Sequence, residues 1–540
     1  MQASQTNKSL DKCLEQAVYT ITKMNSYPEP VKIEAPGQKV GIYVILSVLL
    51  LVAAALLRFH DLSQRSLWID EAAAAIYSQG TIAQTIDNTR HRNTSPIVFP
   101  LILQAVQKID RSAVGVRLPS AIFSVLAVLV MLLMPRTGVD RRVAFFAATV
   151  LTLSASQIHW AQEAREYSLS VLLASLMIYG LFDFLNSEGK KRGALYASLF
   201  AAPLIQYGLV LFGAAIIGTL GLAGLMQRRP FIGDVLKSGI AMATSGFISL
   251  ILTLRFQWQS HANLHLGNYF YDGSLSELTS VTTFIAGNTY SLIKHLLLGE
   301  AVFWVFAIIF AVYVCRFACR FACRFACSFA SRVTIGRQSF YELSLFLFAI
   351  MVSVVAVLFR AYPYGAAHQC LYLAPTIALA FGSVSFGVAD SLNDKQQTAW
   401  TGVIILVVII LGVQTLREWN PYGEVEDIKS VLSYLEQESQ SRDDPIYVYP
   451  GAVPALTFYG ISGDRYVFGE LYPQFDPEGY RKELGTAMDR GTGRLWIILS
   501  SVVPDVEDFV VSEISGDWSL EQKVDATKAS LFLATRAMDH

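Results

Sequence analysis

Asp70 and Glu71 are adjacent carboxylates shortly beyond the first long apolar run, in the stretch RFHDLSQRSLWIDEAAAAIYSQG that begins at Arg58. A carboxylate near hydrocarbon costs a few kcal/mol unless it faces water or a cavity, so a pair at the edge of a span points to acid/base chemistry against a membrane face. The competing reading is a helix start, where acidic residues meet the positive end of the macrodipole. Other polar runs interrupt the apolar sequence at comparable positions. They include QIHWAQEAREY (Gln157–Tyr167) and RAYPYGAAHQ (Arg360–Gln369).

The elements that must position these residues are membrane spans. The chain has 540 residues, of which 53% are hydrophobic and 16% charged, and its mean hydropathy is +0.43. Apolar stretches of roughly 20 residues recur from Val40 to about Leu416, the length that crosses a hydrocarbon core of about 30 Å. The first span is too long and too far from the N-terminus for a cleaved signal peptide, so it is expected to stay as an anchor. Positive clusters follow at intervals: Arg136, Arg141 and Arg142; Lys190, Lys191 and Arg192; Arg228 and Arg229; then arginines from 316 to 337. Placing each on the cytoplasmic side gives about eleven spans, an N-terminus inside and a C-terminus outside. The resulting expectation is a cytoplasmic tail over 1–39, a membrane domain over 40–416 and an extracytoplasmic α/β domain over 417–540. The first external loop spans 58–116, with amphipathic helices at Glu71–Gln79 and Val98–Ile109. The weakest turn is Leu204–Tyr207. In the last domain, a helix is predicted over Glu424–Glu438 and another over Asp505–Ile514, with strands at IYVYP, RLWIILSS and SLFLATRA.

The net charge of -1 comes without a basic stripe, which gives no footprint for nucleic acid. Four of the six cysteines lie in the repeat CRFACRFACRFACSFA (Cys315–Ala330). A row along one helix cannot close a tetrahedral metal site alone, and the arginines between read as positive-inside charge. The pair His261 and His265 is too little for a zinc site, and no phosphate-cradling glycine loop for a nucleotide donor is present. No cofactor is assigned from sequence. A divalent ion held with the help of Glu71 stays open.

Several segments resemble one family in the expected order. They are WIDEAAAAIY (Trp68–Tyr77), the Ser95-Pro96 start of an apolar helix, VRLPSAIFSVL (Val116–Leu126), SQIHWAQEAREYSLSVLL (Ser156–Leu173) and YPYGAAHQCLYLAP (Tyr362–Pro375). This set resembles the polyprenyl-phosphate-sugar-dependent GT-C glycosyltransferases, in particular bacterial relatives of protein O-mannosyltransferases and lipid A aminoarabinose transferases. The resemblance implies a polytopic α-helical membrane protein of GT-C type with a C-terminal soluble α/β domain, in the inner (plasma) membrane. Its implied activity moves a sugar from a polyprenyl-phosphate donor to an acceptor hydroxyl on the extracytoplasmic face, on a lipid, glycan or protein.

Such a reaction needs a base for the acceptor, cations for the departing phosphate and an apolar groove for the polyprenyl chain. The resemblance makes Asp70 the catalytic aspartate. As a carboxylate it can take the acceptor proton in an inverting displacement. Glu71 either orients the acceptor or stabilises a helix start. Arg165 is the main candidate for the phosphate, its alternative being an ion pair with Glu163 or Glu166, and the run Arg90, His91 and Arg92 is a second candidate or a solvated loop. Glu163, Glu166 and Tyr167 are placed at the substrate, and either glutamate is the nearest available partner for a retaining mechanism. His368 is a further candidate for the donor phosphate: relatives commonly carry an arginine shortly after YPYG, where this chain has a histidine that is only partly charged near neutral pH unless the phosphate raises it. Tyr362, Tyr364 and Tyr372 either hydrogen-bond sugar hydroxyls or anchor the bilayer interface. The rival classes are a ligase or polymerase for lipid-linked oligosaccharides with the same fold, and a polytopic transporter or flippase, which would favour internal repeats and interrupted helices at mid-membrane depth.

Overall fold

The computed structural model describes residues 39–92, 95–227, 231–263, 278–297, 337–418, 426–439, 444–490, 493–502, 504–515 and 518–536. The cytoplasmic tail, the cysteine repeat, Arg228, Arg229 and His265 fall outside these residues, as do the side chains of His91, Arg92 and His261. The chain divides into residues 1–49 and 50–540. In the first unit, the described residues open the helix Lys39–Phe59. Ile42, Val44, Ile45, Val48 and Leu49 are exposed along it, as suits contact with lipid.

In the described residues, eight helices are long and apolar enough to cross a bilayer, nine if the bent pair Arg141–Leu153 and Ala155–Ala161 counts as one span. The expectation of about eleven also drew on residues 298–336, which lie outside the described set. Within the second unit, Tyr167–Asn186 and His368–Ala389 are surrounded by protein, whereas Ile232–Leu252 and Asp394–Arg417 lie towards the outside. On the latter pair Phe247, Leu250, Ile251, Ile405, Leu406 and Ile409 stay exposed, as suits contact with lipid. The weak turn is real: the helix Gly193–Ile205 ends at Gln206 in extended backbone, and the next runs Gly208–Met226. A side chain at Gly208 would collide with Tyr372 and Tyr362, so glycine lets this helix start against the YPYG segment.

The bend of 62° between Arg141–Leu153 and Ala155–Ala161 is held by side chains that take up carbonyls freed at the end of the first helix. Arg58, almost wholly buried, donates from Nη2 to the carbonyl of Leu151 at 2.7 Å and from Nη1 to that of Thr152 at 3.3 Å. Its Nε reaches Ser124 Oγ at 2.6 Å. Thr415 donates to the Leu153 carbonyl, and Ser154 caps the second helix by accepting from the Gln157 amide. A cation at a helix C-terminus meets the negative end of the dipole, so the break is held without a proline. Its consequence is a fixed exit for the turn 162–166, which carries Glu163, Arg165 and Glu166.

Between the first two spans of the sequence lie the short helices Ile69–Tyr77, Ile82–Arg92 and Val98–Val106. Side chains join them: Gln107 donates to the Ala75 carbonyl and Gln104 to that of Gly80, both at 2.9 Å. The helix Ile82–Arg92 is an addition to the two expected from periodicity.

The C-terminal domain holds strands β1 (Ile446–Val448), β2 (Tyr466–Phe468), β3 (Arg494–Ser500), β4 (Trp518–Ala526) and β5 (Ala529–Arg536) in the order β2-β1-β3-β5-β4. β1 pairs parallel with β2 and β3, while β5 is antiparallel to β3 and β4. β3 is buried on both faces, which explains its unbroken apolar run. Leu495, Ile497 and Leu499 face the helices Pro477–Arg490 and Pro504–Ile514 through Tyr480, Leu484 and Val510. Trp496 and Ile498 face the other way, into a core that also contains Leu67, Ala72 and Ala75.

Candidate active site

The helix Ile69–Tyr77 begins at Trp68 in extended backbone, and Trp68 gives no side-chain cap. Consecutive helical residues point about 100° apart, so Asp70 and Glu71 leave the helix in different directions. Glu71 is fully buried, while the Asp70 side chain is 45% exposed.

Glu71 is held in a closed network. Its Oε1 accepts from Arg117 Nε at 2.8 Å and from the Ala164 amide at 2.6 Å, and Oε2 accepts from Arg117 Nη2 at 2.6 Å. Arg117 then uses its remaining N–H groups on the carbonyls of Leu62 (2.8 Å), Arg65 (3.0 Å) and Ser66 (2.8 Å). All five guanidinium donors are satisfied, the condition for a stable buried cation. Burial pushes the Glu71 carboxyl up, but the Arg117 charge and its hydrogen bonds outweigh this and hold it below the usual range. Both oxygens are committed to protein donors, which does not fit a divalent ion at Glu71. Among the described residues no three His, Cys, Asp or Glu side chains converge as metal ligands.

Arg165 presents the opposite case. It is 6% exposed, yet its contacts are long: Asp70 Oδ2 at 3.8 Å and Glu166 Oε2 at 3.5 Å, the Asp70 carbonyl at 3.5 Å and the Tyr167 hydroxyl at 3.4 Å. Its Nε and Glu166 Oε2 complete no hydrogen bond. The guanidinium lies 5.6 Å from the Tyr167 ring centre. A nearly buried cation with unspent donors beside an open carboxylate is suited to receive an anion.

Tyr167 also meets Trp160 edge-on (5.1 Å) and His368 at a tilt (4.7 Å), and His368 lies 4.7 Å from Trp160. Trp160 in turn meets Trp68, the residue before the Asp70 helix, at 6.4 Å. Glu163 accepts a short hydrogen bond from Trp68 Nε1 and lies 3.5 Å from Arg65 and 3.8 Å from His159. Burial and the neighbouring Glu71 charge push its carboxyl up.

The structure thus brings together Asp70, Glu71, Glu163, Arg165, Glu166, Tyr167 and His368. The tyrosines near YPYG are placed otherwise. Tyr364 and Tyr372 are completely buried, which corrects the expectation that they meet sugar hydroxyls or the bilayer interface. Tyr364 pairs with Thr289 at 2.8 Å. The Tyr362 hydroxyl accepts from Gln206 at 3.3 Å and donates to the Gln369 carbonyl at 3.2 Å, so it too is engaged in packing. Arg90 is exposed on its helix, and among the described residues no hydrogen bond or ion pair links it to Asp70. His91 and Arg92 carry no described side chain.

Sequence reasoning missed Arg117, Arg65 and Glu426. Arg117 sits in the recognised RLPSA segment, but its role depends on backbone carbonyls no motif displays. Glu426, from the C-terminal domain, accepts from the Ile69 amide at 2.6 Å.

No curated protein matches the chain. Among solved structures, ArnT from Cupriavidus metallidurans in the apo state aligns with 12% identity and a TM-score of 0.49 over 92% of this chain and 98% of that one. The same protein bound to undecaprenyl phosphate gives 12% and 0.48 over 93% and 98%. The apo oligosaccharyltransferase of Archaeoglobus fulgidus gives 12% and 0.46 over 85% and 69%. Residues 94–254, which include Arg117, Glu163, Arg165 and Tyr167, match the family described as dolichyl-phosphate-mannose-protein mannosyltransferase, in agreement with the GT-C glycosyltransferase resemblance of the sequence motifs.

Proposed function

We propose that the chain is an integral membrane glycosyltransferase that moves a sugar from a polyprenyl-phosphate carrier to an acceptor hydroxyl, with inversion. The observation that carries this reading is the open Asp70 carboxylate 3.8 Å from Arg165, whose guanidinium is nearly buried and under-used. In the reaction, the acceptor oxygen bonds to the anomeric carbon as the bond from that carbon to the phosphate oxygen breaks. The phosphate leaves with the electron pair, and the acceptor proton passes to Asp70. Arg165 meets the charge that develops on the phosphate. Glu71 and Arg117 do not touch substrate; they fix the helix and the turn that carry the two reacting groups. Glu163 and Glu166 are buried, and Glu163 is engaged by Trp68 and Arg65, which favours direct displacement over a glycosyl-enzyme intermediate.

The site is assigned to the extracytoplasmic face. The span Ala113–Thr137 starts beside Glu71, through Arg117, and ends at the cluster Arg136, Arg141 and Arg142. Arg142 there bridges Asp140 and Asp390 at 2.7 and 2.8 Å. Basic residues mark the cytoplasmic end of a span, which supports an extracytoplasmic Asp70 and C-terminal domain. The sheet domain lies against the Asp70 helix, where an acceptor would approach.

The test is incubation of purified protein in proteoliposomes with a panel of polyprenyl-phosphate monosaccharides and candidate acceptors. Release of polyprenyl phosphate with a new glycosidic product supports the reading and names the donor. Transport of the lipid between leaflets without product would support the flippase reading instead.

A further inference from the structure

The segment 62–68 that leads into the Asp70 helix has no regular structure of its own, and its polar backbone is gripped from two sides. From the membrane domain, Arg117 takes the carbonyls of Leu62, Arg65 and Ser66. From the C-terminal domain, Lys429 Nζ takes those of Ser63 (2.6 Å), Gln64 (3.1 Å) and Arg65 (3.2 Å). The donors of the same segment go to that domain as well. Tyr459 Oη accepts from the Leu67 amide at 2.9 Å, and Glu426 accepts from the Ile69 amide at 2.6 Å. A helix leaves its first amides without internal partners. Here the N-cap position is tryptophan, which offers no acceptor, and the cap comes from a carboxyl 357 positions later.

We propose that Glu426, supported by Lys429 and Tyr459, is a positioning residue for Asp70, so that the C-terminal α/β domain is a working part of the transfer site as well as a surface for the acceptor. The cap fixes the first turn of the helix, and Asp70 is the next residue. Glu426 is 3% exposed, and the titratable groups that face it are Asp70 and Tyr472, with the hydroxyls of Ser500 and Ser501 beside it. Acceptance of one N–H needs a carbonyl-type oxygen and no negative charge, so glutamine is a faithful replacement and alanine is not.

This inference rests on the proposed transfer reaction, and the experiment separates the two. Glu426→Ala and Glu426→Gln are compared with the intact chain in the proteoliposome assay, alongside hydrogen exchange of the peptide spanning 66–77. Glu426→Ala is expected to lower kcat by about tenfold or more with the donor KM within about twofold, and to speed exchange of the first-turn amides. Glu426→Gln should restore both to within about threefold of the original. Unchanged kcat in the alanine variant, or unchanged exchange, overturns the assignment. If the alanine variant cannot be purified folded, Tyr459→Phe, which removes the acceptor of the Leu67 amide, must move both readouts in the same direction or the assignment fails. If the unmodified chain transfers no sugar, the transfer reading fails, and the exchange of 66–77 alone decides whether Glu426 holds the helix.

Discussion

Two buried arginines in this molecule do different work, and their hydrogen bonds show which. Arg117 has every donor filled within 3.0 Å, so it binds nothing further; among the described residues the polar contacts of Arg165 are no shorter than 3.4 Å. Removing one partner from the first pair leaves a buried charge, so Arg117→Met is expected to destabilise the protein by about 3–5 kcal/mol, read as a fall in Tm in detergent. A fall under about 1 kcal/mol would show that Glu71 finds another partner. Because the Glu71 carboxyl is held below its ordinary value near 4.5, the stability it adds is complete above that pH and is lost as pH falls through its lower folded value. His368 packs against both the Trp160 and Tyr167 rings, which also touch each other, and a guanidinium can pack on such rings as well. His368→Arg is therefore expected to retain or raise transfer, measured as kcat/KM for the donor; a large loss would remove His368 from the phosphate contact. Asp70 and Arg165 were legible in the sequence because charges at span boundaries stand out. Glu71 and Arg117 were visible as residues, but their partnership was not, since it is written in the carbonyls of 62–66.

At the scale of elements, apolar length made the spans readable, while their interruptions were not. Nothing in ATVLTLSASQIHW announces a bend of 62°, because the group that stabilises it is Arg58 on a helix far away in sequence. Replacement by methionine leaves the Leu151 and Thr152 carbonyls without their donor and is expected to cost about 1–3 kcal/mol. The same variant should loosen the turn 162–166, seen as faster exchange there; protection equal to the unmodified chain would show that Ser154 and Thr415 hold the bend by themselves. In the C-terminal domain, β3 and β5 were legible as apolar runs. β4 (WSLEQKVDA) was not, since an edge strand carries alternating polar residues on one face, and Glu521 and Lys523 hide the pattern.

At the scale of the whole membrane and sheet assembly of residues 50–540, the contacts that count join positions hundreds of residues apart, which no single-sequence pattern encodes. Glu426 is the clearest case: burial pushes its carboxyl up to about 7 from about 4.5. A raised folded value means its contribution is complete below pH about 4.5 and is lost as pH rises through about 7. The Tm difference between the unmodified chain and Glu426→Gln should therefore fall steadily from pH 5 to pH 8, about the window those two values bracket; a difference independent of pH would contradict that environment.

The central claim is that Asp70 takes the acceptor proton in a transfer from a polyprenyl-phosphate sugar. The direct measurement is product formation by the unmodified chain and by Asp70→Asn at matched amounts in proteoliposomes, each checked for Tm. The account predicts a loss of about a hundredfold or more with Tm unchanged, because the substitution removes a base from an open position and no packing. Transfer by Asp70→Asn at the rate of the unmodified chain would contradict it.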